Sequence, residues 1–167
     1  MKRQVRKNVF ETNSSSMHSL SICKQGCNGL LTVDEETNKV ITNFGEFGWG
    51  YDIYSYPSAK LSYLVTMLVE THNECKSMEE LCETEDFKNI NSVVAEHCNC
   101  DGIFIDEEVG VKSYTWNGKE YSYFEHEGYV DHQSVMQIND LLDEYGCTIE
   151  EFIFDEGIKL IIDNDNY

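Results

Sequence analysis

Residues 9–22, Val-Phe-Glu-Thr-Asn-Ser-Ser-Ser-Met-His-Ser-Leu-Ser-Ile, crowd hydroxyls, an amide, a carboxylate and an imidazole between two apolar edges. These types are suited to proton transfer and anion binding. In an enzyme, Glu11 would serve as base or anchor and His18 would move a proton, while Asn13, Ser14, Ser15 and Ser16 would grip a phosphate or a sugar. A serine nucleophile also needs a base and an orienting acid supplied by the fold, and no Gly-x-Ser-x-Gly elbow is present to display one. Two other readings stand beside this one. Ser, Thr and Asn bond to nearby backbone, so the run also reads as a tied turn between a strand ending near Phe10 and another over 18–23. Equally, the segment can form a partner-binding edge.

Other constellations are weaker. Cys23 and Cys27, with His97, Cys98 and Cys100, contain zinc-type donors, but two Cys-x2-Cys pairs are missing. No metal and no cofactor are therefore expected. Glu125-His126-Glu127 is similar to the Glu-x-Glu of arginine-specific ADP-ribosyltransferases, and Arg6 with Ser14, Ser15 and Ser16 would complete their Arg, Ser, Glu order. Arg6 stands too close to the serines for that family, and a solvated loop after a strand explains the triplet as well. Asp163-Asn164-Asp165 lacks the glycine and distal glutamate of an EF-hand loop. Neither a Walker A nor a dinucleotide glycine motif occurs.

The opening resembles a group of small proteins of phages and mobile elements in Gram-positive bacteria. They begin with a basic arm followed by Phe-Glu-Thr-Asn-Ser-Ser-Ser-x-His-Ser, here Phe10 to Ser19. The resemblance covers about the first 22 residues and leaves the other 145 unassigned. It implies a mobile-element setting and a functional role for the segment, and it supplies no reaction.

The elements that must position these groups follow from pattern. Two β-prone runs, 30–33 and 39–42, flank a polar turn and predict a hairpin. Residues 44–56 then mix six aromatics with three glycines. The aromatics either fold back over the core or form a contact surface, for which Phe47, Trp49, Tyr51 and Tyr54 are the candidates. Leu61, Leu64, Val65, Leu68 and Val69 form one apolar stripe, predicting a helix over 58–73 with Ser58 as N-cap. Ser77 with Glu80 reads as a capping box, and Phe87, Ile90, Val94 and Cys98 mark a further helix from Thr84. Residues 103–105 read as a buried strand. Asn117-Gly118 between alternating runs predicts a hairpin with Tyr114 opposite Tyr121. One of its faces, core or contact surface, would carry Lys112, Tyr114, Trp116, Lys119, Tyr121 and Tyr123. A helix over 134–145 stops at Gly146, and 151–154 with 158–162 make a hairpin or a helix–strand pair.

The expected fold is α+β in a single domain over 1–167, a mostly antiparallel sheet with three to four helices packed on it, a basic arm at 1–7 and an acidic, frayed tail at 163–167. The chain carries 31 acids against 12 bases, a net charge of −19, and four of the bases fall in the first seven residues. Such a body repels nucleic-acid phosphates and attracts basic surfaces; direct nucleic-acid binding is not expected. Seven cysteines at irregular spacing argue for reduced thiols rather than a disulfide framework. No apolar run approaches a membrane span, and no apolar h-region follows the basic start. A cytoplasmic setting, that of the host cell for a phage protein, and no membrane partner are expected.

The leading function is an acidic phage-type accessory protein. It would bind and inhibit a basic host nucleic-acid-handling or defence enzyme, as an anti-CRISPR or other anti-defence protein mimicking nucleic acid. The alternative is a small enzyme or nucleotide-binding protein using the segment from Glu11 to His18.

Overall fold

The computed structural model describes residues 16–22, 31–48, 50–107, 110–132 and 134–164, with backbone alone at 16–22, 145 and 163–164. In chain order the elements are β1 (Ser16–Ile22), β2 (Val40–Thr42), β3 (Glu46–Phe47), β4 (Tyr51–Tyr54), α1 (Pro57–Thr71), α2 (Met78–Cys82), α3 (Glu85–Cys98), β5 (Ile103–Ile105), β6 (Gly110–Trp116), β7 (Lys119–Glu125), β8 (Tyr129–Val130), α4 (Ile138–Tyr145), α5 (Ile149–Phe154) and β9 (Ile158–Asn164).

Helix α1 is the axis of the core. Its single predicted stripe proves too narrow: Tyr63, Thr66 and Met67 are buried along with Leu61, Leu64, Val65 and Leu68. A helix enclosed on nearly all sides needs apolar residues around most of its circumference. Thr66 satisfies its hydroxyl by donating to Ser62 O at 2.7 Å and accepting from Gly45 N at 2.9 Å. The start also differs from expectation. Tyr56 is the N-cap, without a side-chain bond, and Pro57 occupies the first turn, where its fixed φ suits a helix and its missing N–H costs nothing.

The α+β class holds, but the sheet is not one mostly antiparallel layer. Among the described residues the strands form four small sheets: antiparallel β1-β9-β4 and β6-β7, and the parallel pairs β2-β5 and β3-β8. Parallel pairing requires a crossover, and between β2 and β5 that crossover includes α1, α2 and α3. With only one face covered, β5 alternates, and Phe104 is exposed between buried Ile103 and Ile105. Five helices occur among the described residues rather than three to four.

Local signals hold at some caps and turns and fail at others. The polar turn forms, with Asp34 accepting from Thr37 N and Oγ1 at 2.8 and 2.7 Å, but the expected hairpin shrinks to a single bridge, Val33 to Val40, because β2 pairs in parallel with β5. Thr84 caps α3 through Phe87 N, and Asn99 closes it in the left-handed conformation. Ser77 accepts from Glu80 N, while the Glu80 carboxylate takes Lys76 N instead of the cap's own N–H. Helix α4 begins at Ile138 rather than near 134 and ends at Gly146 with φ 64°. The C-terminal pair is a helix and a strand, α5 carrying a complete Thr148–Glu151 capping box. The strand β9 reaches Asn164, so the first part of the expected tail is paired; residues 165–167 lie outside the described ones. No helix among the described residues is long and apolar enough to cross a membrane.

Candidate functional site

The hairpin β6–β7 projects as a two-stranded ribbon. Asn117 and Gly118 both have positive φ, 50° and 74°, as a type I′ turn demands. Lys112 then faces Tyr123, Tyr114 faces Tyr121, and Trp116 faces Lys119. Opposed residues share a face, so four aromatics and two lysines line one side, as the sequence predicts. That side is exposed rather than core: Trp116 is 64% exposed, and Tyr121, the least exposed of its aromatics, 40%. Tyr114 and Tyr121 stack at 5.4 Å, with Tyr123 tilted against Tyr114 at 6.2 Å. Lys112 is ion-paired with Glu125, and Lys119 has no ion pair among the described residues.

An isolated two-stranded ribbon is marginal in water; this one is anchored at its base. Phe124 is buried, and the His126 ring meets Phe44 edge-on at 5.2 Å. Just beyond, Gly128 (φ 85°) lets the chain run against residues 44–45, where a Cβ would stand 2.7 Å from Gly45 O. Tyr129 N and Asp131 N then donate to Gly45 O and Phe47 O, forming β3-β8.

This crossing opens a cleft of about 430 Å³ between the C-terminal half of α1 and the base of β7. Glu70 and Asn73 form one wall; Tyr123, Glu125 and His126 form the other. The Glu125 carboxylate already holds Lys112. The half-buried Glu70 side chain has no ion pair among the described residues. His126 Nδ1 lies 3.0 Å from Glu127 O. Two members of the predicted polar triplet thus line a cleft. Its α1 wall was not foreseen, because no local signal links Glu70 to a segment more than fifty residues later.

The other candidates separate. Glu11, Asn13, Ser14, Ser15 and Trp49 lie outside the described residues, as do Arg6, Cys23 and Cys27. Ser16 and His18 belong to β1, opposite Asn164 and Ile162 of β9. In the aromatic segment, Phe47 is folded into the core, edge-on to Tyr54 and Tyr63 at 5.2 Å each. Tyr54 is half-buried, and burial pushes its hydroxyl pKa up. Tyr51, Ile53 and Tyr56 are exposed. His97 stacks on Phe154 at 3.6 Å and meets Glu150 at 3.1 Å, while Cys100 Sγ faces the carbonyls of Val94 and Gly102. Among the described residues no three His, Cys, Asp or Glu side chains converge as metal ligands. Burial raises the thiol pKa of Cys75, Cys82, Cys98 and Cys147, which disfavours their thiolate form.

Between Lys119 and Lys159 there are eleven acids and neither Lys nor Arg. Asp140, Asp143 and Glu144 of α4 are exposed, as are Glu150 and Glu151 of α5. Comparison of the chain with protein-family models, curated proteins and solved structures gives no match.

Proposed function

We propose that the protein works by binding: an acidic accessory protein that occupies and inhibits a basic host enzyme of nucleic-acid handling or defence. The observation that carries this reading is the charge, −19 overall, with exposed acids on α4 and α5 in a stretch, 120–158, whose sequence contains no Lys or Arg. A surface of one sign steers partners of the other and rejects phosphates. The exposed Trp and Tyr side chains of β6–β7 support it, because such residues dominate interface energetics. The opening segment's resemblance to phage and mobile-element proteins supports the setting.

The test is a pull-down from lysate of a Gram-positive host at low and high salt, followed by an activity assay of the captured enzyme. Intact protein is compared with a variant carrying Asp140→Asn, Asp143→Asn and Glu144→Gln. The expected result is a basic partner captured at low salt, inhibited on capture, and bound more weakly by the variant with a flatter salt dependence. Capture indifferent to both salt and neutralisation would refute the reading.

A further inference from the structure

We infer that the cleft between α1 and β7 receives an arginine side chain of the basic partner. This rests on the binding role proposed above and names its anchor point. Three observations converge. First, the cleft is lined by an acidic residue from each wall, Glu70 and Glu125, together with Tyr123 and His126. A planar guanidinium suits such a site: it bonds carboxylates with its fork of N–H groups and stacks on aromatic faces. Second, Glu70 has no ion pair among the described residues and leaves its charge open to a cation, whereas Glu125 opposite is already engaged by Lys112. Third, the cleft is continuous with the ribbon through Tyr123, which lines the one and belongs to the aromatic face of the other. A side chain seated in the cleft would place its own backbone beside Tyr114 and Tyr121, where exposed rings exclude water around a buried anchor.

Lysine fits less well. Its ammonium is a compact, strongly hydrated point charge without a face to stack. A nucleic-acid ligand is disfavoured by the same carboxylates.

The test is an NMR titration of the full chain at low salt with N-acetyl-arginine amide, and in parallel with N-acetyl-lysine amide. Saturable shifts confined to Asn73, Tyr123 and His126 are expected, stronger for arginine. Glu70→Gln should weaken arginine binding about tenfold, the scale of one charge-assisted hydrogen bond, with the rest of the amide spectrum unchanged. Glu79→Gln, an exposed acid of α2 outside the cleft, should leave it intact. Non-saturating shifts spread over the acidic surface, or indifference to Glu70→Gln, would overturn the inference. A saturable titration alongside a charge-indifferent pull-down supports the cleft and removes the inhibitor reading. A salt-sensitive pull-down without a saturable titration removes the cleft alone.

Discussion

Lys60 Nζ donates to Asp155 O at 3.1 Å across 95 positions of sequence, and to Ile158 O at 3.2 Å. The first turn of α1 is thereby tied to the corner where α5 gives way to β9. Lys60 is fully buried; burial pushes its pKa down to about 8, against the pull of Asp155, Cys147 and Glu156. Below pH 8 both folded and unfolded states carry the proton. Between about 8 and the ordinary value near 10.5, the unfolded chain holds it and the folded chain does not. Stability from this group therefore rises with pH across that window. The thiols of Cys75, Cys82, Cys98 and Cys147 and the Tyr54 hydroxyl, whose pKa values burial raises, act in the opposite sense, so the comparison must be made against Lys60→Met. In urea denaturation at successive pH values, the intact protein should gain stability relative to Lys60→Met as pH rises from 8 to 10. A gap constant with pH would mean that Lys60 keeps its proton throughout.

Gly128 and Gly118 both have positive φ, 85° and 74°, but only Gly128 faces backbone. An alanine at 118 meets nothing within 4 Å and should cost about 1 kcal/mol of conformational strain. At 128 the added Cβ would stand 2.7 Å from Gly45 O and 2.9 Å from Phe44 Cβ. Gly128→Ala should therefore cost about 2–4 kcal/mol, from strain and a forced backbone shift together. Chemical denaturation of the two variants checks the order. Equal costs would mean that the β3-β8 crossing yields without penalty.

Features set within four or five residues were legible in the sequence. Asn117-Gly118, the Thr84 cap, the Gly146 stop and the Asp34 turn each have a local chemical cause. Pairing between distant segments has no such mark. An alternating trio such as Val40-Ile41-Thr42 pairs equally well with any exposed edge, so its parallel match to β5 was not readable. Lys60 was missed because lysine is almost never fully buried unless paired. The carbonyls that accept its bonds come from the other end of the chain. Half of the cleft was visible as Glu125-His126-Glu127, but the wall supplied by Glu70 arises only when Gly128 crosses Gly45.

Removing ribbon aromatics should separate binding from folding. Trp116 and Tyr114 are exposed, and Trp116 sits beside the turn with no ring partner among the described residues. Trp116→Ala should change stability by no more than about 0.5 kcal/mol, as for most surface substitutions. Tyr114→Ala should cost about 0.5–1.5 kcal/mol through loss of its stack on Tyr121. If the face is the partner interface, each should lower affinity by about tenfold or more, read by calorimetry with the captured partner. Full affinity in the double variant would move the interface off the ribbon.

Asp143 and Glu144 occupy the last turn of α4, which contains no basic residue. The helix dipole places partial negative charge there, so both carboxylates are disfavoured by about 0.3–1 kcal/mol each. A role in binding would account for acids placed at a cost in stability. Asp143→Asn with Glu144→Gln should therefore raise the denaturation midpoint while weakening partner capture. The two effects differ in origin: the dipole term is local to the helix end, whereas the binding term acts through the whole acidic surface. Added salt should shrink both, and the binding loss more steeply, since long-range attraction is screened first. A variant that gains stability and binds as well as the intact protein would show that the acids of α4 contribute no steering.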